Sequence, residues 1–486
     1  MRKLINSLLV MLVWTLPVAA QSNPQTVRSI AMQECIEMAL KHNFDLKIER
    51  FNPKIALDAV QSAEGLYDPT LSVASGRNYA NSVVTGQKNY TDSLSASLSG
   101  QGPYGLQYAL PLNFTSGGFG HGLDTQGYTG SGGLSVVQPI LKGALIDGPR
   151  YSLLVSRKTL KMSEYALRFQ LQTVITSVRV AYYDLVFARE SVKVQEKALE
   201  LAERLQADNK AKVKAGTLPP LDEKQAESQV ATTRADLLAA KQALTSQENL
   251  LKNLIVDDLT TWHKLTLTPA EQLVAAPASF DVSESWKTGL ATRPDLAQMR
   301  IDLERYDLDI QFYKNQTLPD LSFVGRYGLA ASGRHESSIE TGLREGDHPY
   351  YYYGMQLNIP LFNRKAKSDY RKSKDQRAQA ELRVQQAEQV VLVTIDNAIS
   401  LARSSFDSVA ATRQAREYAE LALEAEQKKL ENGKSTSFFV LQFQRDLTRA
   451  RSEEIRALAD YNKALARVAQ AEGTAMEKAG VNIQVK

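Results

Sequence analysis

The chain is nearly free of cysteine: Cys35 is the single copy in 486 residues. Neither a disulfide framework nor a cysteine-based zinc site can form within one chain. Charge of one sign is also missing. Lys and Arg exceed Asp and Glu by only 58 − 54 = 4, and the signs are mixed, which argues against a nucleic-acid partner. Beyond residue 20 there is no run of 18 apolar residues, so no transmembrane helix is expected. Any membrane contact must then be a β-barrel or a surface contact. Motifs of covalent chemistry are absent too: G-x-x-x-x-G-K-S/T, H-E-x-x-H and G-x-S-x-G do not occur. The histidines His42, His121, His263, His335 and His348 are scattered. His335 and His348 share a stretch with Glu336, Glu340, Glu345 and Asp347, expected to be a solvated surface loop. Asp257-Asp258 reads as helix-end or loop charge. No catalytic residue, metal site or cofactor is expected.

The N-terminus carries a pattern of its own. Arg2 and Lys3 precede an apolar run from Leu8 to Val13, and the small residues Val18, Ala19 and Ala20 precede Gln21. This is a secretory signal peptide pattern over residues 1–20. The run falls short of the roughly 20 residues a spanning anchor needs. Losing Arg2 and Lys3 leaves 4 − 2 = +2 on the mature chain. Cys35 lies well past the cleavage point, in Gln33-Glu34-Cys35-Ile36 within a helical pattern. It is expected to be a small core residue, not a lipid-attachment site.

Between residues 150 and 215 there is neither proline nor glycine. Apolar residues recur there at Leu171, Val174, Val178, Ala181, Leu185, Ala188 and Val192, in alternating steps of 3 and 4. A period of 3.5 is the seam of a coiled coil, narrower than the face of an ordinary globular helix. A helix from about Pro149 to Lys214 would be about 100 Å long at 1.5 Å per residue. The turn Ala215-Gly216-Thr217-Leu218-Pro219-Pro220 follows. A second helix is expected from Leu221 to about Ile255, with Val230, Leu237, Leu244 and Leu251 at steps of seven and Thr233, Ala240, Gln247 and Leu254 at the other seam position. The pair makes an antiparallel hairpin whose first arm outruns its second.

Before this hairpin the period changes. Residues 27–65 read as helical, with Pro53 expected to kink or divide them. From 69 to 140 the period is 2. Leu94, Ala96 and Leu98 alternate with serines, and Leu106, Tyr108, Leu110 and Leu112 alternate with Gln107, Ala109, Pro111 and Asn113. These are short strands, separated by a Gly-rich loop expected at 117–133. A soluble sandwich would give the same alternation. Small hydroxyl residues on one face and Leu or Tyr on the other also fit a barrel with lipid outside and water inside.

The second half repeats the first. His42-Asn43-Phe44-Asp45-Leu46 matches Thr292-Arg293-Pro294-Asp295-Leu296, and Pro69 matches Pro319, both at an offset of 250. Gln138-Pro139-Ile140 matches Ile359-Pro360-Leu361 at 221, and Gly216 matches Gly433 at 217. A strand around Tyr350–Tyr353 offers an aromatic belt. A second long helix is expected from about Asn363 to Glu431. Its partner runs from about Phe438 to Glu472 with a seam interrupted by Glu454. The chain thus divides into a signal peptide (1–20), a first repeat (21–255), an irregular connection (256–291) and a second repeat (292–486). The strands lie at about 69–140 and 319–361, and the coiled-coil hairpins at about 149–255 and 363–472.

Signal peptide, duplicated helix–strand–helix–helix halves, the strand-to-helix junctions and the two Gly turns together resemble the TolC-like outer-membrane efflux proteins, over nearly the whole mature chain. The resemblance implies a mostly α protein with a transmembrane β-barrel portion. In that family a homotrimer shares one barrel, four strands from each protomer, in outer-membrane lipid. Its coiled-coil hairpins form an α-barrel tunnel through the periplasm. The implied role is the exit duct of a tripartite efflux or type I secretion system, with a periplasmic adaptor protein and an inner-membrane pump as partners. The adaptor-contacting tips would be Gly216, Thr217, Leu218 and Pro219 and Gly433, Lys434, Ser435 and Thr436. Acidic gate residues known in some members have no match at Ser437-Phe438-Phe439-Val440-Leu441-Gln442, whereas Asp222 follows the first tip. The constriction would involve Asp222, Phe438, Phe439 and Gln442. A hairpin at about 93–114 is additional to the family pattern, and the sequence leaves open whether it joins the barrel or forms an extracellular loop. The alternative reading is a secreted or surface coiled-coil structural protein without a pore.

Overall fold

The computed structural model describes residues 26–81, 88–120, 125–346 and 348–481. The expected signal peptide lies outside them, as do His121 and Asp347. The first half opens with β1 (Thr26–Ile30), α1 (Met32–His42), α2 (Phe44–Glu49) and α3 (Phe51–Glu64). Four long strands follow: β2 (Thr70–Asn81), β3 (Lys88–Gln101), β4 (Gln107–Gly120) and β5 (Thr125–Pro139). Then come α4 (Gly148–Lys214) and α5 (Pro220–Ile255). A connection holds α6 (Leu259–Trp262) and β6 (Leu265–Pro269). The second half comprises α7 (Val282–Thr292), α8 (Pro294–Gln316), β7 (Asp320–Gly333), α9 (Glu336–Glu345), β8 (Pro349–Asn358), α10 (Arg364–Glu431) and α11 (Ser437–Ala471).

The two long hairpins, α4 with α5 and α10 with α11, form as the heptads predict. All seven seam residues of α4, from Leu171 to Val192, are buried. Seven-residue spacing keeps one stripe facing the partner along the whole length. Where α5 ends, α3 and α8 take its place against α4, and α8 also packs on α10. The surplus length of each first arm is therefore covered. Glu454 does sit at the α10–α11 interface, and it is not an unpaired defect. Its carboxylate meets Arg416 at 2.6 Å and Arg413 at 3.3 Å, both from α10.

The main apolar core lies midway along α4. Ile36, Ala39 and Leu46 from the first helices meet Leu171, Ile175, Val178 and Leu185 of α4, with Leu251 and Ile255 of α5 and Leu267 of β6. A matching cluster joins Val391, Ile395 and Ile399 of α10 to Ala464 and Val468 of α11 and to Trp286 and Leu290 of α7. Cys35 is fully buried in the first cluster. Burial pushes its thiol up to about 12, so it stays protonated and inert.

Five expectations need correction. Residues 26–30 are a strand, not helix: β1 pairs in parallel with β6, inside the stretch 256–291 expected to be irregular. That stretch is held by a buried pair, where Glu248 accepts from the Leu267 N–H at 2.8 Å and lies 3.0 Å from Lys252. The break between α2 and α3 falls at Arg50, and Pro53 sits in the first turn of α3, where its missing N–H has no helical acceptor to lose. Most of 117–133 is strand rather than loop, since β4 runs to Gly120 and β5 starts at Thr125. Residues 336–345, expected in a solvated loop, form α9, whose Ile339 is buried against the sheet.

The sheet also exceeds the four strands that the family resemblance implies. One antiparallel sheet holds six strands in the order β2-β3-β4-β5-β7-β8. The hairpin at 93–114 thus belongs to the sheet as the inner parts of β3 and β4.

Candidate functional site: the helical tips and the two-faced sheet

Each long helix ends at its tip in the same way. Gly216 and Gly433 adopt φ +76° and +69°, the left-handed region that suits glycine. At the first tip the Thr217 N–H donates to the Lys212 carbonyl at 2.9 Å, and the Gly216 N–H to the Val213 carbonyl at 3.0 Å. At the second the Lys434 N–H donates to the Lys429 carbonyl at 2.8 Å, and the Gly433 N–H to the Leu430 carbonyl at 3.1 Å. Both are Schellman endings, which satisfy the last helix carbonyls and reverse the chain within a few residues. Pro219 and Pro220 then start α5, since a proline at the first helical position loses no hydrogen bond.

The structure ties the two tips together through a residue that the sequence reading passes over. Asn209 of α4 is 1% exposed. Its amide donates to the Asp222 carbonyl at 3.3 Å, and its side-chain oxygen accepts from the Ser437 hydroxyl at 3.1 Å. Asn209 thereby joins α4, the start of α5 and the start of α11. Beneath it Leu205, Leu423, Val440, Leu441 and Leu447 form an apolar cluster between the hairpins. Glu426, which aligns with Asn209 at the same offset of 217 as the two glycines, is also buried. It accepts from the Ser435 hydroxyl and from Lys429 at 2.9 Å. Those bonds, Ser435 first, hold its carboxyl below the usual range. A polar residue in a coiled-coil seam, repeated at the glycine offset, was the available signal.

The other expected residues lie close by. Phe438 and Phe439 open α11 half-exposed, edge to face with ring centroids 5.7 Å apart. Gln442 is exposed one turn on, and Asp222 is partly buried in the first turn of α5. Thr217, Leu218, Lys434, Ser435 and Thr436 fill the two turns.

At the opposite end of α4, about 100 Å away, stands the sheet. Asp147 makes the junction. Its carboxylate caps α4 by accepting from the Arg150 N–H at 2.6 Å, and it also accepts from the Gly105 N–H at 2.8 Å and the Tyr67 hydroxyl at 3.3 Å. Asn315 of α8 grips the same junction, accepting from the Gly143 N–H at 2.7 Å and donating to the Leu141 carbonyl at 3.2 Å.

Register gives the sheet two unlike faces. Directly paired positions share a face in an antiparallel sheet. One face carries Leu71, Leu98 and Leu110 in one row, Leu94 and Phe114 in another, and Leu134, Tyr327 and Tyr351 in a third. These side chains are open to the surroundings; Leu112 is 51% and Tyr353 75% exposed. The reverse face carries Ala74, Ser95, Asn113 and Ser131 in one row and Ser135, Arg326 and Tyr352 in another. An apolar face this large, covered only where α9 packs on the row of Gly130 and Ala331, marks a contact with lipid or with another protein. Among the described residues no helix is long and apolar enough to cross a membrane. Nor, among them, do three His, Cys, Asp or Glu residues converge in a metal-like group.

Comparison with known proteins agrees with this architecture. A family model described as outer membrane efflux protein matches residues 35–255 and 287–474. The outer membrane efflux protein BepC of Brucella suis is 27% identical over 282 residues, covering 58% of this chain and 59% of that one. The pyoverdine export outer membrane protein OpmQ of Pseudomonas aeruginosa is 25% identical over 213 residues, covering 42% and 41%. The matches thus span about half the length of these relatives. Among solved structures, the CmeC outer membrane channel of Campylobacter jejuni superimposes with a TM-score of 0.69 at 17% identity, covering 93% of this chain and 90% of that one. The outer membrane protein VceC of Vibrio cholerae gives 0.68 at 16%, covering 91% and 96%. With the family matched over most of its length and the fold matched over nine-tenths, this chain belongs to the outer membrane efflux proteins and resides in the outer membrane.

Proposed function

We propose that three copies of the chain form the exit duct of a tripartite efflux or type I secretion system. The duct is a passive, water-filled path across the outer membrane and periplasm, gated at its periplasmic tips. One observation carries this reading. A sheet with one exposed apolar face and one polar face stands at one end of helices about 100 Å long, and their far ends carry two matching turns. Such a sheet in lipid needs its backbone groups paired, and closure with further copies pairs them. The sheet would then hold the duct in outer-membrane lipid, with the exposed Tyr351 and Tyr353 among its interfacial aromatics.

The tips are the places for partners. The residues from Gly216 to Pro219 and from Gly433 to Thr436 would meet a periplasmic adaptor, which joins the duct to an inner-membrane pump. Asp222, Phe438, Phe439 and Gln442 would narrow the tunnel just above them. Two half-exposed phenylalanines per protomer favour a hydrophobic constriction, with Asp222 in the first turn of α5 as its acid. The domain division follows the same reading, as two repeats of about 21–255 and 292–486 around a connection.

The test is the purified mature protein in detergent and in planar bilayers. A detergent-dependent trimer that conducts ions supports the duct. A water-soluble protein that never enters a bilayer would overturn it and favour a coiled-coil scaffold at the cell surface.

A further inference from the structure

The hairpin of β3 and β4 occupies the middle of the sheet, and this changes the size of any barrel the sheet can build. We propose that each protomer contributes six strands, so that the trimer closes an eighteen-stranded barrel. The proposal rests on the duct reading above and extends it to the bore.

Three observations carry it. First, the hairpin is inserted along its full length. Twelve residue pairs join β2 to β3 and fourteen join β3 to β4, and β4 pairs on to β5. The pair β2–β5 that a four-stranded protomer would need is not formed. Second, β3 and β4 are 14 residues each, against 15 for β5 and 14 for β7. A tilted strand crosses a bilayer in about 9–11 residues, so both are long enough to span. An excursion above the membrane has no need of that match. Third, the two faces continue through the hairpin from Leu94 to Leu98, and the apolar one ends at the paired Arg77 and Asp92. Leu94, Ala96 and Leu98 of β3 pair with Phe114, Leu112 and Leu110 of β4, all on the apolar face. Ser93, Ser95, Ser97 and Ser99 all fall on the polar face. In an aqueous loop that run of exposed Leu and Phe would be an aggregation hazard; against lipid it is the expected outer surface.

The edges fit closure by copies of the same chain. β2 and β8 are the outer strands, 12 and 10 residues long, and among the described residues each leaves one row of backbone groups without a strand partner. Six alternating strands leave β2 and β8 running in opposite directions. The β2 edge of one protomer can therefore pair antiparallel with the β8 edge of the next, in a ring without an odd seam. Strand spacing and a tilt of about 40° put the backbone diameter of eighteen strands at about 36 Å, against about 24 Å for twelve. The bore widens about 1.5-fold, so selection of cargo by size falls to the helical tips.

Single cysteines test this in the assembled protein. Cys35 is buried and gives a silent background. In outer membranes, S95C and S97C are expected to react with a membrane-impermeant maleimide, and L94C and L98C to react at least about tenfold more slowly, because a thiol in hydrocarbon is both shielded and protonated. Q356C and M355C in β8 serve as the reference pair. If β8 alternates while both faces of β3 react, the hairpin lies outside the barrel and the proposal falls, although the duct stands. If neither alternates, the duct reading falls with it. Electron microscopy of the unmodified trimer in nanodiscs gives the second measurement. A barrel of about 36 Å supports eighteen strands, and one of about 24 Å overturns them.

Discussion

Asp147 shows how much a single side chain holds at the foot of α4. It caps a 67-residue helix and also receives bonds from Gly105 and Tyr67. Replacing it with alanine removes three acceptor contacts at a buried point. An N-cap alone is worth about 0.5–2 kcal/mol, and a bond to a charged acceptor about 1.5–3 kcal/mol. D147A should therefore lower stability by about 2–4 kcal/mol. D147N, which keeps the cap oxygen, should recover about half. Denaturant unfolding of the detergent-solubilised protein reads both values. At the tips the backbone, not a side chain, sets the cost. A Cβ added to Gly216 or Gly433 meets nothing within 4 Å, so only the left-handed backbone resists it. G216A and G433A should each cost about 1–2 kcal/mol, and asparagine at the same positions less. A larger loss for alanine, measured by thermal unfolding, would mean that the turns are held by something besides their own φ angle.

At the scale of elements, charge decides how firmly the helices are fastened. Glu454 lies where the α11 seam would take an apolar residue, and Arg416 and Arg413 reach it from α10. Arg416 continues to Glu420, which also meets Arg451 of α11. E454Q leaves both arginines partly solvated, so the expected loss is modest, about 1 kcal/mol, and smaller still in high salt. Asp257 fastens the end of α5 to α1 and α2. Lys47 bonds it at 2.8 Å and His42 lies at 3.0 Å, and these bonds, Lys47 first, hold its carboxyl below the usual range. A carboxyl lowered on folding stabilises above its unfolded value of about 3.9, and that stabilisation is lost as pH falls through the folded value. The melting temperature should fall on acidification below about pH 4, and D257N should flatten that fall. The long helices were legible because a period of 3.5 from Leu171 to Val192, in a stretch without proline or glycine, leaves no other fold for the chain. The small elements were not. β1 exists only because β6 lies beside it, and the local sequence from Thr26 to Ile30 does not record a partner as distant as Leu265. The ends of β4 and β5 were hidden by glycines, which read as loop unless the neighbouring strand is known.

At the scale of the whole molecule, the tip end was readable from its glycines but not from the contact that joins its halves. Asn209 and Ser437 are far apart in sequence and meet only because both hairpins end at the same level. That bond is buried and couples one hairpin to the other, so it opposes any motion that splays the tips. N209A would leave the Ser437 hydroxyl and the Asp222 carbonyl without their partner, at about 1–3 kcal/mol. S437A would remove the same link from the other side with less disturbance to α5. If closure of the duct depends on this link, either change shifts the closed-to-open ratio by about tenfold for each ~1.4 kcal/mol lost. The expected result is higher conductance of the isolated trimer in bilayers, with trimer mass and barrel labelling unchanged. N209A and S437A combined should exceed N209A alone by little, because N209A already breaks the bond that S437A removes. Unchanged conductance in all three variants would place the gate elsewhere, with Phe438 and Phe439 the next residues to replace.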